Sequence, residues 1–452
     1  MTARDMAAHD MTGHDMAGRD MAGPAMSVRG ETLMSSPLWS CGFRPFFVLT
    51  AAGAVGFLGI WLLVLSGAGL SGWMPPGGVL AWHAHELVFG FGLAAAAGFL
   101  LTAVPEFTGA APFTARPLMG LTALWLAARV AYALGQWLPP GVAVALAAAP
   151  NLLFTALLLA YLTPALWRDA RRAHMGFAWT LGGLLLMQAG FFVALFTDGV
   201  GLVWLYGAID MTMILILLAG SRVSMSVLNG YIEAGRPGAP PPSDDYLARP
   251  PRRYLAVFTI VLCSAAQRGL GAGPVAGWTA LAVSAAVLNM LNDWHVGRSL
   301  FTRWAMMLYA CFWLIALGYG AMGLSWLLGL WPASVGRHLL TAGAMGLSVF
   351  TIMSLAGRIH SGLWLDRRPW LLVAAGALAA AALARAAAGL PALGTWAGGL
   401  VLGAGLMWAG TYAAYLWHAW PVLAGPRADG RAGCAEPVGK TPSPFTGPES
   451  DC

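Results

Sequence analysis

Apolar runs long enough to cross a lipid bilayer recur along this chain, and they leave it few folds to adopt. About 20 consecutive apolar residues span a bilayer core as a helix. Such runs fall near residues 43–66, 80–104, 117–136, 142–165, 176–197, 201–221, 254–273, 275–292, 303–328, 338–357, 370–390 and 397–420. Of the 452 residues, 58% are hydrophobic and 10% charged, against about 25% charged in an ordinary soluble domain. No soluble core of this size hides so much apolar surface. In lipid each backbone N–H and C=O must be paired internally, which segments of this length achieve as helices. The expectation is an all-α polytopic membrane protein, with about twelve transmembrane helices in one bundle over residues 41–422.

Basic residues orient that bundle. One set of alternate loops carries Arg116, then Arg168, Arg171 and Arg172, then Arg236, Arg249, Arg252 and Arg253. It continues with Arg298 and Arg303, then Arg358, Arg367 and Arg368, and the tail with Arg427, Arg431 and Lys440. The other set carries little beyond Arg268 and Arg337. By the positive-inside rule both termini are cytoplasmic. A proline-rich loop at 223–253 reads as an exposed linker between six spans and six. No repeat between the two halves is evident. Residues 1–40 and 423–452 read as disordered segments, the latter cytoplasmic. The first apolar run follows a long polar stretch, unlike a cleaved secretory signal. Cys41, Cys263, Cys311, Cys434 and Cys452 show no CxxC spacing and no even framework, so no disulfide or thiolate metal site is expected.

The N-terminal segment repeats every five residues, as RDMAA, HDMTG, HDMAG, RDMAG over residues 4–23. Met6, Met11, Met16, Met21 and Met26 keep the register, and His9 and His14 precede Asp-Met pairs. Thioether sulfur and imidazole suit copper, although a low-complexity solvated tail without a ligand has the same pattern.

The predicted topology sorts the nine histidines. His83 and His85, in Trp82-His83-Ala84-His85-Glu86, fall near the periplasmic start of the second span. His338, beside Arg337, begins the tenth, and His360 lies just past its other end. The 22 residues between the last two cover about 33 Å of helix, so one metal cannot bind both. His83 and His85 point to different sides of a helix and would not share one metal, whereas His83 and Glu86 share a face. The outer group suits haem, which needs one or two axial histidines and cationic partners for its propionates; Arg337 is such a cation. Anchoring at the headgroup level accounts equally for His83 and His85. His418 and His360 form a weaker inner group. Arg44, Arg129, Asp210, Arg222, Arg268 and Arg385 are charges inside apolar runs and need partners or a cavity. For Asp210 the expected partner is a membrane arginine such as Arg129 or Arg385, with a proton relay as the alternative.

Several blocks together resemble the NnrS family: GFRPFF at 42–47, WHAHE at 82–86, GFLLTAVPEFTG at 98–109, HLLTAGAMG at 338–346 and GPRADGRAG at 425–433. The resemblance implies a twelve-span bacterial inner-membrane protein containing haem and copper, tied to denitrification and protection against nitric oxide. It carries the metal-ligand role onto His83, His85 and His338, and onto His360 within Gly357–Gly362. Gly220-Ser221-Arg222-Val223 departs from the family's Gly-Gly-Arg-Val by one glycine. Leu308-Tyr309-Ala310-Cys311-Phe312 has Tyr309 where the family pattern has histidine, which puts one metal ligand in doubt.

The function expected is therefore a haem b protein, with copper as a second cofactor, that meets nitric oxide or nitrosative stress. Its partners would be the lipid bilayer, nitric oxide and a membrane electron donor, with no nucleic acid. If it turns over, it is an oxidoreductase acting on nitric oxide. The competing readings are a twelve-span transporter of a metal, haem or small ion, and an assembly subunit of a respiratory complex.

Overall fold

The computed structural model describes residues 35–434, apart from residues 71, 198, 235–245 and 364. Twelve long helices follow one another: α1 Phe43–Ser66, α2 Gly78–Thr108, α3 Ala115–Ala133, α4 Pro140–Arg168, α5 Met175–Phe196 and α6 Leu202–Ala234, then α7 Pro250–Leu270, α8 Pro274–Leu291, α9 Arg303–Leu328, α10 Ser334–Ile359, α11 Trp370–Ala387 and α12 Ala397–Ala424. Among the described residues there is no strand. Ten of these helices are long and apolar enough to cross a membrane; α3 and α7 fall outside that set. Proline opens α4, α7 and α8, where its missing N–H costs no bond and its fixed φ suits the first turn. Left-handed glycines close α1, α2 and α9 (Gly67, Gly109 and Gly329), a conformation that costs other residues steric strain.

Consecutive helices pack side by side, and α12 returns against α1 to close the bundle. α2 and α10 run through the interior: 89% and 72% of their apolar windows are buried, against 17% for α12. α6 touches both. The outward faces carry exposed large apolar side chains such as Trp179, Phe258, Val373 and Trp417, as a lipid-facing surface requires. The starts of α1 and the ends of α10 and α12 gather at one end, called here the terminal end; His83 and His338 lie at the far end.

α2 and α10 each change pitch at the same place. α2 is π-helical over Glu86–Gly92 and α10 over Leu339–Met345, two segments offset by 253 residues at both ends. His85 and His338 immediately precede them. Leu87 and Leu340, Gly90 and Gly343, and Gly109 and Gly362 keep the same offset. The two interior helices thus share one local geometry at matching positions. A π segment widens one turn and is found mostly at functional sites.

Three expectations change. α6 continues to Ala234, so the connection begins later than residue 223; its proline-rich part lies outside the described residues, as do the Met/His repeat and residues 435–452. Residues 425–434 are not a free tail. Arg44, buried in α1, donates to the carbonyls of Leu423 and Gly425 at 3.0 and 2.5 Å. Arg427 donates to the His360 and Gly433 carbonyls, and the Ala428 N–H donates to the Ser361 carbonyl. This packing brings Cys434 to Cys41, and the two are joined in a disulfide across 393 residues, a separation that hides the pairing from sequence spacing.

Candidate functional site

At the far end, α1, α2, α6, α10, α11 and α12 enclose about 1260 Å3 of atom-free space, its opening included. His83 and His338 both line it, from the two interior helices, with Arg337 beside them and Arg385 from α11. His83 lies within electrostatic reach of His338 and Arg385. Its ring stacks on Trp61 at 4.1 Å and 19°, which fixes the plane of the imidazole, and its Nδ1 is buried without a hydrogen-bond partner. His338 is oriented differently: its Nδ1 lies 2.7 Å from the Ser334 carbonyl. A carbonyl can only accept, so Nδ1 carries the proton and Nε2 keeps a lone pair, the arrangement by which proteins aim a metal-binding imidazole.

Two guanidiniums complete the cavity, and no carboxylate lines it. Arg337 lies over the Tyr206 ring, 3.6 Å from its centroid, and its Nε is buried without a partner. Leu58, Leu62, Leu87, Val88 and Trp408 supply apolar walls. An occupant with a flat apolar body and anionic groups at one edge would satisfy every one of these features. The residues present therefore fit haem.

His85 is not part of this cavity. It is fully buried, ringed by Phe89, Tyr132, Phe191 and Phe192. Its Nδ1 is 3.0 Å from Glu86, and Glu86 pairs with Arg129 of α3 at 3.2 Å. Arg129 in turn donates to Asn151 of α4, which Gln188 of α5 approaches at 3.4 Å. Glu86 and Arg129 thus form one buried network that ties four helices together around His85.

His360 sits at the terminal end and lines a second cavity, of about 1480 Å3, with Glu106 and Arg222. Its Nδ1 is 2.9 Å from the Cys434 carbonyl and its Nε2 is 3.8 Å from Glu106. Arg222 lies over the Phe107 ring. His418 stacks on Trp370 at 4.3 Å, apart from His360's cavity. The structure thus brings His83, His338 and Arg337 together and keeps His85 and His360 in separate places. Arg385, flagged in sequence only as a buried charge, joins the first group, and Trp61 was not singled out at all. Asp210 pairs with neither Arg129 nor Arg385: it accepts a 2.7 Å hydrogen bond from Tyr319, with Arg337 and Arg268 as its charged neighbours. Among the described residues no three of His, Cys, Asp and Glu converge as a metal site.

No curated protein matches this chain. A family model described as NnrS protein matches residues 37–427, a stretch that holds all four predicted ligand histidines and both cavities. The chain belongs to the NnrS family.

Proposed function

We propose that this protein holds haem b between His83 and His338 and serves the bacterial response to nitric oxide at the inner membrane. One observation carries the reading: two imidazoles from two interior helices face one apolar cavity that two arginines, and no carboxylate, complete. His83 and His338 would hold the iron, and Arg337 and Arg385 would pair with the cofactor's carboxylates. Bound haem would supply an iron centre able to take nitric oxide or to pass an electron. The chain's own groups do the rest. Ser334 holds the proton on His338 Nδ1 so that Nε2 stays a donor. Trp61 restrains the His83 ring, and the leucine and tryptophan walls keep water from the centre. A membrane electron donor would complete a redox cycle.

The arginine-rich loops make α3 and α7 spans as well, giving twelve, with cytoplasmic termini and the His83–His338 cavity on the periplasmic side.

The test is an optical spectrum of detergent-purified protein, oxidised and dithionite-reduced, with metal analysis, before and after adding nitric oxide. A Soret band that moves on reduction and again with nitric oxide is expected. A colourless protein from cells with ample haem would overturn the reading.

A further inference from the structure

Midway between the two ends, α2, α6, α9 and α10 border a third, partly open space, with about 670 Å3 free of atoms when its opening is included. Small residues keep it open: Gly92, Ala95 and Ala96 on α2, Ala219 and Gly220 on α6. It shares Met345 with the cavity of His83 and His338, and Phe47, Phe99 and Ile352 with the cavity of His360. The three spaces therefore lie end to end through the interior.

Among the described residues no charged side chain lines the middle space. Its polar side chains are Thr212, Cys311 and Ser348, and each turns back onto its own helix. Thr212 donates to the Ala208 carbonyl at 2.8 Å, Ser348 to that of Met345 at 3.1 Å, and Cys311 to that of Met307 at 3.2 Å. A charged or strongly hydrated solute entering here would lose its water and gain no hydrogen bond. An uncharged diatomic molecule has little hydration to lose, and dry apolar cavities of this kind bind xenon. The same lining offers no compensation to a hydrated ion along this axis; its soft donors are the sulfur atoms of Met345, Met353 and Cys311.

We infer that the middle cavity binds small uncharged molecules of the size of nitric oxide or carbon monoxide and relays them past Met345 to the His83–His338 cavity. The destination rests on the haem proposed there; the occupancy does not. Met345 is the constriction, since a Cβ added at Gly92 would stand 3.1 Å from its sulfur.

Two readouts on the whole purified protein test this. Xenon NMR reports occupancy without any haem, and carbon monoxide recombination after flash photolysis reports passage. Ala96→Leu and Ala219→Leu fill the cavity from different helices, so if one fails to fold the other still decides. The expected result is bound xenon in the unmodified protein, its loss in the variants, and recombination slowed about tenfold with the Soret band retained. Absence of bound xenon in the unmodified protein overturns the site. Unchanged recombination in variants that have lost xenon overturns the relay. A protein without haem would sink the proposed function, and the xenon measurement would then decide the cavity on its own.

Discussion

The two end cavities are built on the same pair of helices, α2 and α10, yet they offer opposite chemistry. At the far end, His83 and His338 face an apolar space whose charges are two guanidiniums. At the terminal end a single imidazole, His360, is already engaged by the Cys434 carbonyl and by Glu106, and a carboxylate lines the wall. The first sets two imidazoles and two guanidiniums around an apolar space; the second sets one imidazole beside a carboxylate and the chain's own tail. Location on a shared helix therefore does not make His360 equivalent to His338. Each Nδ1 meets a backbone carbonyl, that of Ser334 for His338 and that of Cys434 for His360. What separates them is what surrounds Nε2: the His338 cavity is lined by two guanidiniums, whereas the Glu106 carboxylate stands 3.8 Å from His360 Nε2.

The comparison extends to charge pairs. The Glu86–Arg129 pair is 1% and 9% exposed and sits directly behind the far-end cavity. Removing one partner of a buried pair strands the other, so Arg129→Leu should cost about 3–5 kcal/mol, read as a fall in thermal midpoint. Arg249→Leu removes the exposed partner of Asp293 at the terminal end, which keeps Arg252 at 2.7 Å, and should cost about 1 kcal/mol or less. Equal losses would show that burial does not distinguish the two ends.

A smaller effect is expected at the cavity edge. Arg337→Leu should retain the fold but weaken haem binding at least about tenfold, since hydrogen bonds to charged groups contribute about 1.5–3 kcal/mol. Haem transfer to an apo-protein acceptor measures this, and an unchanged transfer rate would remove Arg337 from the site.

Sidedness gives a sharper contrast than an energy. Cys41 and Cys434, joined in the structure, lie at the end proposed to be cytoplasmic, where thiols are kept reduced. Because Cys41 is buried, alkylation under denaturing lysis should find both thiols free in cells and joined only after air oxidation. A bridge already closed in intact cells would reverse the orientation.

The smallest effect belongs to the tail. Hydrogen bonds from the Arg427 guanidinium hold the Asp429 carboxyl down at about 2. A carboxyl lowered in the folded state contributes stability above its ordinary value, near 4, and loses that contribution as the pH falls through about 2. Hydrogen exchange of residues 425–434 should therefore show no pH-dependent loosening between pH 5 and 8 beyond intrinsic exchange, whereas Asp429→Asn should loosen them throughout that range. Haem content should not change.

Much of the bundle was legible because lipid permits so little else. α1 and α9 occupy the predicted 43–66 and 303–328 to the residue. The end of α6 was missed because Ser224, Ser226, Asn229 and Gly230 read as loop residues by propensity, whereas the helix carries through them to Ala234. That His83 and His85 would not share a metal followed from helical spacing. Which of them faces His338 did not, because it depends on how α2 is rotated against α10. The partners of Asp210 were misassigned for the same reason: Tyr319 is 109 residues away and only packing places its hydroxyl there. The offset between the π segments was hidden because so few identities mark it.

The central claim is that one haem is held by His83 and His338 and none by His360. Its most direct test is haem per chain in His83→Ala, His338→Ala and His360→Ala, purified alongside the unmodified protein. The first two should lose most of their haem and the third should keep it. Haem retained in both far-end variants, or lost in His360→Ala while the protein stays folded, would contradict it.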